Sequence, residues 1–261
     1  GFRKQNFFVN NQSLRLSFRI SDENYDAYES RSIIGSGYID RELTDAYSIG
    51  AGITIKSSTT EQLDSVDSYN LTSYPLYFSM DKTSDLLDPV IGQRLSLQFT
   101  PYFQTSDERI TFEKALVSYK RYVRVSRSPQ VVLAAGITAG ILTGASRDNI
   151  PADERLYAGG GGSIRGYPYQ SVGPLSEGSP VGGKALFESS LEVRLKISER
   201  FGLAAFLDGG SAFEEKMFSE GQPIRWGTGL GLRYYTPVGP FRLDVGVPLD
   251  KREGIDDSYQ I

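Results

Sequence analysis

Apolar and polar residues alternate along most of this 261-residue chain. A period of two places successive side chains on opposite faces of the backbone, as in a β-strand, whereas a helix repeats after about 3.6 residues. Residues 184–197 show this most clearly, because one face is apolar and the other is almost wholly charged. The apolar face is Phe187, Leu191, Val193, Leu195 and Ile197, and the polar face is Lys184, Glu188, Ser190, Glu192, Arg194 and Lys196. The pattern predicts an all-β chain.

Clusters of Gly, Pro, Asp and Ser separate the alternating segments and predict turns, as at 84–92 and 236–240. We count about eleven strands of about ten residues each. The longest apolar run, 131–145, also alternates, with Leu133, Ile137 and Ile141 on one face. This run is shorter than the roughly 20 residues of a membrane-spanning helix, so it is interpreted as a strand.

Two β architectures can use strands with one apolar face. A soluble sandwich or propeller buries the apolar face, whereas an outer-membrane barrel turns it toward lipid and its polar face toward a wet lumen. Gly227, Gly229 and Gly231 follow one another on the polar face of one strand. A soluble exterior is rarely so rich in glycine, while a barrel wall against which another segment packs would need such small residues. The polar faces therefore favour a transmembrane antiparallel β-barrel.

Composition excludes several classes of protein. The chain contains no Cys and no His, which removes thiolate nucleophiles, His-dependent hydrolysis and His-ligated zinc. Its net charge of -4 comes from interspersed acidic and basic residues, with no basic stripe that would follow a nucleic-acid backbone. We therefore expect no enzyme activity, no cofactor, no metal and no nucleic-acid partner.

One segment, 155–174, is too long and too rich in glycine for a plain hairpin loop. It reads RLYAGGGGSIRGYPYQSVGP, so a flexible lead of four glycines, Gly159 to Gly162, precedes one cation, Arg165, set between small and aromatic residues. From the residues alone, an ordinary extracellular loop with a solvated arginine remains an alternative to a functional segment.

Three ordered motifs resemble those of the Omp85 superfamily of outer-membrane assembly and secretion barrels. The stretch YAGGGGSIRGY at 157–167 resembles its loop motif, FLDGG at 206–210 its next strand motif, and GTGLGLRYYTPVGPFRLD at 227–244 its Gly-rich strand, turn and penultimate strand. The resemblance is most specific over 155–250 and extends over the whole chain. Ser-Ile-Arg-Gly-Tyr followed by Tyr169 and Gln170 is most similar to the TamA group, with BamA-like and two-partner-secretion transporters as close alternatives.

The resemblance implies that the 155–174 loop folds back into the lumen and that Arg165 pairs with Asp208 on the barrel wall. Asp208 has inward parity, because it shares a face with Phe206 and Ala204. The candidate loop motif is Gly159, Gly160, Ser163, Ile164, Arg165, Gly166 and Tyr167. The supporting lumen wall is Phe206, Gly210, Gly227, Gly229, Gly231, Glu188 and Glu192, with Arg225 and Arg233 as further candidates. Generic lumen polarity is the simpler interpretation of Glu188, Glu192 and the two arginines.

The resemblance also implies a setting and a function. Residues 1–261 are expected to be a partial C-terminal barrel of about sixteen strands, with the first strands, the last strand and any POTRA domain outside this chain. We expect a Gram-negative outer-membrane protein that contacts lipid and assists insertion or secretion of unfolded outer-membrane proteins such as autotransporters. A TamB-like inner-membrane partner would be reached through the POTRA domains. The alternatives are a passive diffusion channel and the barrel anchor of an enzyme encoded upstream.

Overall fold

The computed structural model describes residues 1–105, 110–219 and 221–261, and it consists mainly of antiparallel strands. In chain order the strands are β1 Phe2–Gln5, β2 Gln12–Tyr25, β3 Tyr28–Thr44, β4 Tyr47–Gln62, β5 Ser65–Ser73, β6 Leu76–Asp81, β7 Gly92–Gln104, β8 Thr111–Arg127, β9 Gln130–Thr143, β10 Leu175–Ser176, β11 Ser179–Pro180, β12 Ala185–Lys196, β13 Phe201–Phe213, β14 Arg225–Thr236 and β15 Gly239–Pro248. A 3-10 turn at Ala152–Glu154 lies between β9 and β10. Within these three ranges, no helix has the length and apolarity needed to cross a lipid bilayer.

The strands form one meandering sheet in which neighbours in sequence are mostly neighbours in space. Its order is β1-β2-β3-β4-β5-β7-β8-β9-β12-β13-β14-β15, and β6 also pairs with β4 and β7. Strands β5 and β6 thus share one place in the wall, interrupted at Pro75, whose nitrogen carries no hydrogen to donate. β10 and β11 form a small hairpin of their own. Beyond β15, Gln260 pairs with Gly246 through two backbone hydrogen bonds of 2.9 and 2.8 Å.

Side-chain parity confirms the predicted barrel and its outward apolar face. Leu230 and Leu243 are 69% and 56% exposed on the outside of the sheet. The inward neighbours Asp208 and Arg233 are only 1% and 2% exposed. A soluble β-protein would show the reverse arrangement, so this is a transmembrane antiparallel β-barrel whose apolar surface faces lipid. Its strands are longer than the expected ten residues, reaching 17 in β3 and β8.

The two ends of the barrel differ in their connections. At the end that we call the loop end, residues 144–184 join β9 to β12 and residues 214–224 join β13 to β14. At the opposite end, which we call the turn end, β8 and β9 are joined by Ser128 and Pro129 only. Because barrels of this type have long extracellular loops and short periplasmic turns, the loop end is the extracellular one.

This parity predicts that an introduced arginine costs more folding free energy on the outer face of the wall than on the inner face. Leu230→Arg would place a charge in lipid near the middle of β14 and is expected to cost about 2–4 kcal/mol of folding free energy. Ser36 of β3 faces the wet lumen, where its hydroxyl bonds to that of Ser17 at 2.6 Å. Ser36→Arg would therefore place its charge in water, and we expect it to cost much less folding free energy. Urea titration of folding into phospholipid vesicles measures both, and equal losses would contradict the parity.

Candidate functional site in the lumen

Residues 144–184, which we call the lumen loop, cross the interior of the barrel and contact two separated parts of its wall. The neck of the loop is closed by a two-way backbone bridge, in which Leu156 and Gly183 donate to each other at 2.9 and 2.8 Å. One contact region surrounds Arg165 and lies against β12 to β15. The other surrounds Asp153 and Glu154 and lies against β3, β4 and β8. We call these regions the tip anchor and the base anchor.

The tip anchor is built on a bidentate pair between Arg165 and Asp208 of β13. The Arg165 Nε donates to Asp208 Oδ2 at 2.6 Å, and Nη2 donates to Oδ1 at 3.0 Å. The backbone nitrogen of Arg165 also donates to Oδ2, at 3.2 Å. The guanidinium carbon lies 3.5 Å from the centroid of the Phe206 ring, a cation-π contact. Only the planar fork of arginine can make these contacts together, since lysine carries its charge at one point.

Two further carboxylates share the remaining nitrogen of Arg165. Its Nη1 donates to Glu192 Oε2 at 2.7 Å and to Asp244 Oδ2 at 3.0 Å. Glu192 also accepts from Arg194 Nε at 2.6 Å and from Arg233 Nη2 at 3.3 Å, and Arg233 pairs with Asp244. Three arginines and three carboxylates thus balance in one cluster. Such a balance limits the cost of keeping charges away from bulk water.

Apolar and glycine contacts seat the loop backbone around Arg165. Ile164 and Tyr167 are almost fully buried, and the Tyr167 hydroxyl donates to the carbonyl of Trp226 at 3.0 Å. A Cβ at Gly227 of β14 would collide with the carbonyl oxygen of Arg165. A Cβ at Gly246 of β15 would come within 2.6 Å of the Gly166 nitrogen. These wall glycines therefore let the loop backbone approach the sheet directly.

Position 166 requires glycine, both because of its backbone conformation and because no room is left for a side chain. Its φ is +97°, and a Cβ there would lie 2.7 Å from the carbonyl carbon of Val247. Gly166→Ala is expected to weaken docking of the loop tip by about 1–3 kcal/mol, because both strain and contact oppose it. Gly161→Ala is the matched control, since no atom lies within 4 Å of its added Cβ. Protease cleavage within the loop should accelerate in the first variant only, and equal rates would contradict this role of Gly166.

The base anchor consists of buried ion pairs on the other part of the wall. Lys56 of β4 lies 2.7 Å from Asp153 Oδ2 and 2.9 Å from Glu154 Oε1. Ser30 of β3 donates to Asp153 at 2.7 Å, and Lys114 of β8 donates to the backbone carbonyl of Glu154 at 2.9 Å. Burial alone raises the pKa of Glu154, but the nearby charges of Lys56 and Lys114 outweigh it and lower that pKa. Glu154 is therefore ionised at neutral pH.

A third contact joins the lumen loop to the segment after β15. Arg252 forms a bidentate pair with Asp256, at 2.8 and 2.6 Å, and donates to the Ser171 carbonyl at 2.9 Å. Burial raises the pKa of Asp256, and hydrogen bonds from the Arg252 side chain and backbone lower it further than burial raises it. The loop is thus held from the loop end as well as from the wall.

The structure places the sequence-predicted residues at or around the tip anchor, with some differences. Ser163 bonds to Glu188, and Gly159 and Gly160 adopt positive φ in a turn closed by Ser163, whose Oγ accepts from the Gly159 nitrogen at 2.9 Å. Gly210 faces the Ile164 side chain.

Three predicted wall residues lie elsewhere or serve different neighbours. Gly229 leaves room for Phe206 and the β15 backbone, and Gly231 leaves room for the Arg233–Asp244 pair, so neither contacts the loop backbone, in contrast to the expectation from the sequence. Arg225 lies outside the cluster, where it donates to the carbonyl of Asp250 at 3.0 Å.

Sequence reasoning missed Asp244, Arg194 and the whole base anchor. Asp244 and Arg194 have the inward parity that would have made them candidates. Asp153 and Glu154 gave no such signal, because they lie in a segment whose composition predicts only a turn.

An antiparallel membrane barrel whose polar lumen is crossed by an arginine-bearing loop defines a class of outer-membrane protein. Comparison with protein families agrees, since the Omp85 superfamily domain matches residues 1–261. The chain belongs to the Omp85 superfamily and is an outer-membrane protein.

Two curated relatives and two solved structures illustrate the similarity. The outer membrane protein assembly factor BamA of Nitratidesulfovibrio vulgaris is 27% identical over 85% of this chain and 32% of its own length. The sorting and assembly machinery component 50 homolog of Bos taurus is 26% identical over 70% of this chain and 34% of its own length. The chain therefore spans about a third of the length of these relatives.

The solved structures share the fold at low sequence identity. BamA from Haemophilus ducreyi lacking POTRA domains 1–3 has a TM-score of 0.83 at 14% identity, covering 98% of this chain and 59% of that chain. CdiB from Acinetobacter baumannii has a TM-score of 0.64 at 15% identity, covering 96% of this chain and 46% of that chain.

Proposed function

We propose that these residues form the membrane barrel of an outer-membrane factor that inserts or exports other outer-membrane β-proteins without catalysing a chemical reaction. The observation that supports this function is the position of the lumen loop. Two anchors on separated parts of the wall hold it across a bore that a passive diffusion channel would keep open. Similarity to BamA, an outer membrane protein assembly factor, supports the same function. The loop motif around Arg165, its partner Asp208 and the supporting wall would then regulate the shape of the barrel during assembly.

Within this function we propose a TamA-like role, in which autotransporters are among the clients and an inner-membrane-anchored partner takes part. The sequence Ser163 to Tyr167, followed by Tyr169 and Gln170, supports this choice. A BamA-like or two-partner-secretion role is the alternative, because the barrel and its loop suit all three.

Reconstitution tests the proposal with the full-length protein in liposomes. Urea-unfolded outer-membrane barrels are added, and the folded fraction is followed over time by heat-modifiable gel mobility. We expect faster client folding than in empty liposomes, with a larger gain for an autotransporter β-domain than for a monomeric barrel of equal strand number. Folding no faster than in empty liposomes, together with a steady large conductance, would identify a diffusion channel instead. Equal gains for both clients would contradict the TamA-like role.

A further inference from the structure

Residues 82–91, which we call the turn-end segment, join β6 to β7 and are unusually long for their end of the barrel. The other connections at that end contain two to six residues, such as Pro237 and Val238 between β14 and β15. The turn-end segment is a separate connection from the lumen loop. Its length therefore calls for a separate explanation.

The segment has a defined internal shape. Asp85 Oδ1 accepts from the backbone nitrogens of Leu87 and Asp88, both at 2.8 Å, and Ser84 Oγ accepts from the Val90 nitrogen at 3.1 Å. At its foot, Arg94 Nε donates to Asp81 Oδ2 at 2.8 Å. Side-chain acceptors of this kind fix turns by replacing backbone partners. The segment thus projects from the strand ends as an ordered unit.

Its tip contacts a distant part of the wall. The Leu87 carbonyl accepts from Arg242 Nη2 at 3.1 Å, and the Leu87 side chain comes within 3.0 Å of the position that a Cβ at Gly239 would occupy. Arg242 and Gly239 belong to β15, which stands six places from β7 in the sheet order. A segment rooted at β6 and β7 reaches β15 only by crossing the opening of the barrel.

The crossing lies beneath inward-facing arginines. Arg242 alternates with the outward Phe241 and Leu243, so its side chain points toward the bore. Arg194 of β12 also points inward, and its Nη1 lies 3.8 Å from Asp88 Oδ1. That Nη1 is buried and has no hydrogen-bond partner among the described residues. Asp88 is therefore the carboxylate placed to satisfy it.

The same arginine connects the turn end to the tip anchor. Arg194 Nε donates to Glu192, and Glu192 also accepts from Arg165 of the lumen loop, at 2.6 and 2.7 Å. A continuous series of charged groups thus runs from Arg165 through Glu192 and Arg194 to Asp88. Charged groups in contact respond to one another when one of them is removed.

We propose that the turn-end segment is a second closure of the bore, held across the turn end by Arg242 and Arg194. The lumen loop closes the bore from the loop end, and the two closures act in series. Glu192 links them, because it accepts from Arg165 of the lumen loop and from Arg194, the wall arginine that faces Asp88 of the turn-end segment. The proposal concerns passage through the bore, so it stands whether or not the barrel assembles proteins.

Conductance of the full-length protein in planar lipid bilayers tests the two closures. Replacing residues 85–90 by Asn-Gly removes Leu87 and Asp88 and leaves a short turn between Ser84 and Ile91, which are already joined by a backbone hydrogen bond of 3.0 Å. Arg165→Ala releases the tip of the lumen loop, which is the part of the other closure that lies against β12 to β15. We expect the combined variant to conduct severalfold more than Arg165→Ala alone. Equal conductance of these two proteins would overturn the proposal.

A cross-link provides a test that does not depend on folding of the shortened variant. This chain has no cysteine, and Leu87 and Val238 are exposed residues lining one cavity at the turn end. Leu87→Cys and Val238→Cys are introduced together into the Arg165→Ala protein and joined by a thiol-cleavable bis-thiosulfonate reagent. We expect the cross-link to suppress openings and reduction to restore them, while Leu87→Cys alone does not respond. Unchanged conductance after complete cross-linking would overturn the closure.

Discussion

Arg165→Ala is expected to release the tip of the lumen loop from the barrel wall. All hydrogen bonds to the Asp208 side chain among the described residues come from Arg165. The substitution would leave a carboxylate buried without a partner, which costs about 3–5 kcal/mol. Glu192 would keep Arg194 and Arg233, so the loss should fall mainly on the loop and less on the wall.

Cysteine labelling in the full-length protein measures this release. Ile164 is fully buried when the loop is docked, so a maleimide should label Ile164→Cys slowly. Adding Arg165→Ala should accelerate labelling by roughly a hundredfold or more, as expected for a loss of this size. Gly161→Cys, which is exposed in the docked loop, is the control and should label at one rate in both backgrounds.

Arg165→Lys separates charge from geometry at the same position. Lysine keeps the cation but loses the fork that meets both oxygens of Asp208, so intermediate labelling is expected. The tip anchor would be refuted if Arg165→Ala left the labelling rate of Ile164→Cys unchanged. Client folding in the liposome assay should decline in the same order, from wild type to lysine to alanine.

Lys56→Met is expected to release the base of the loop while leaving its tip docked. Methionine keeps much of the side-chain volume but removes the ammonium that pairs with Asp153 and Glu154. Two carboxylates would then share one remaining cation, Lys114, whose Nζ lies 3.6 Å from Glu154 Oε2. The expected cost is about 3 kcal/mol, at the low end for a broken buried pair because the lumen is wet.

The loss of base docking in Lys56→Met is expected to depend on pH in one direction. In the wild-type protein the pKa of Glu154 is lowered, so its stabilising contribution is present at neutral pH and is lost as the pH falls through that pKa. Removing Lys56 takes away one of the two lysines that lower this pKa against the effect of burial, so we expect the pKa to rise in the variant and protonation to reduce its loss of stability. The defect should therefore be larger at neutral pH than at about pH 5.

Labelling of Ile150→Cys, a buried position beside the base anchor, reports this release. Lys251→Met is the matched control, because Lys251 is exposed and bonds only to Ser258 among the described residues. A labelling rate in Lys56→Met equal to that in Lys251→Met would show that the base anchor does not hold the loop.

The alternation of residues determined most of the wall, because strand parity is a local property of the chain. The spacing of Phe206, Asp208, Glu192 and Arg233 predicts that they lie on the inner face, and the structure has them there. The alternation in the run at 131–145 likewise predicts a strand, and β9 occupies most of it. Parity states which way a side chain points, but it does not state which residue it meets.

The sequence by itself therefore determined an all-β barrel with an apolar outside, a polar inside and one unusual loop. Only the tertiary structure decided that Asp153 and Glu154 pair with Lys56, and that Leu87 contacts Arg242 across the opening. It also decided that Arg165 forms ion pairs with three carboxylates at once. These pairs join residues from 27 to 155 positions apart. Their contacts depend on how far the sheet curves and on the path that each loop takes, and neither quantity is written in the alternation of neighbouring residues.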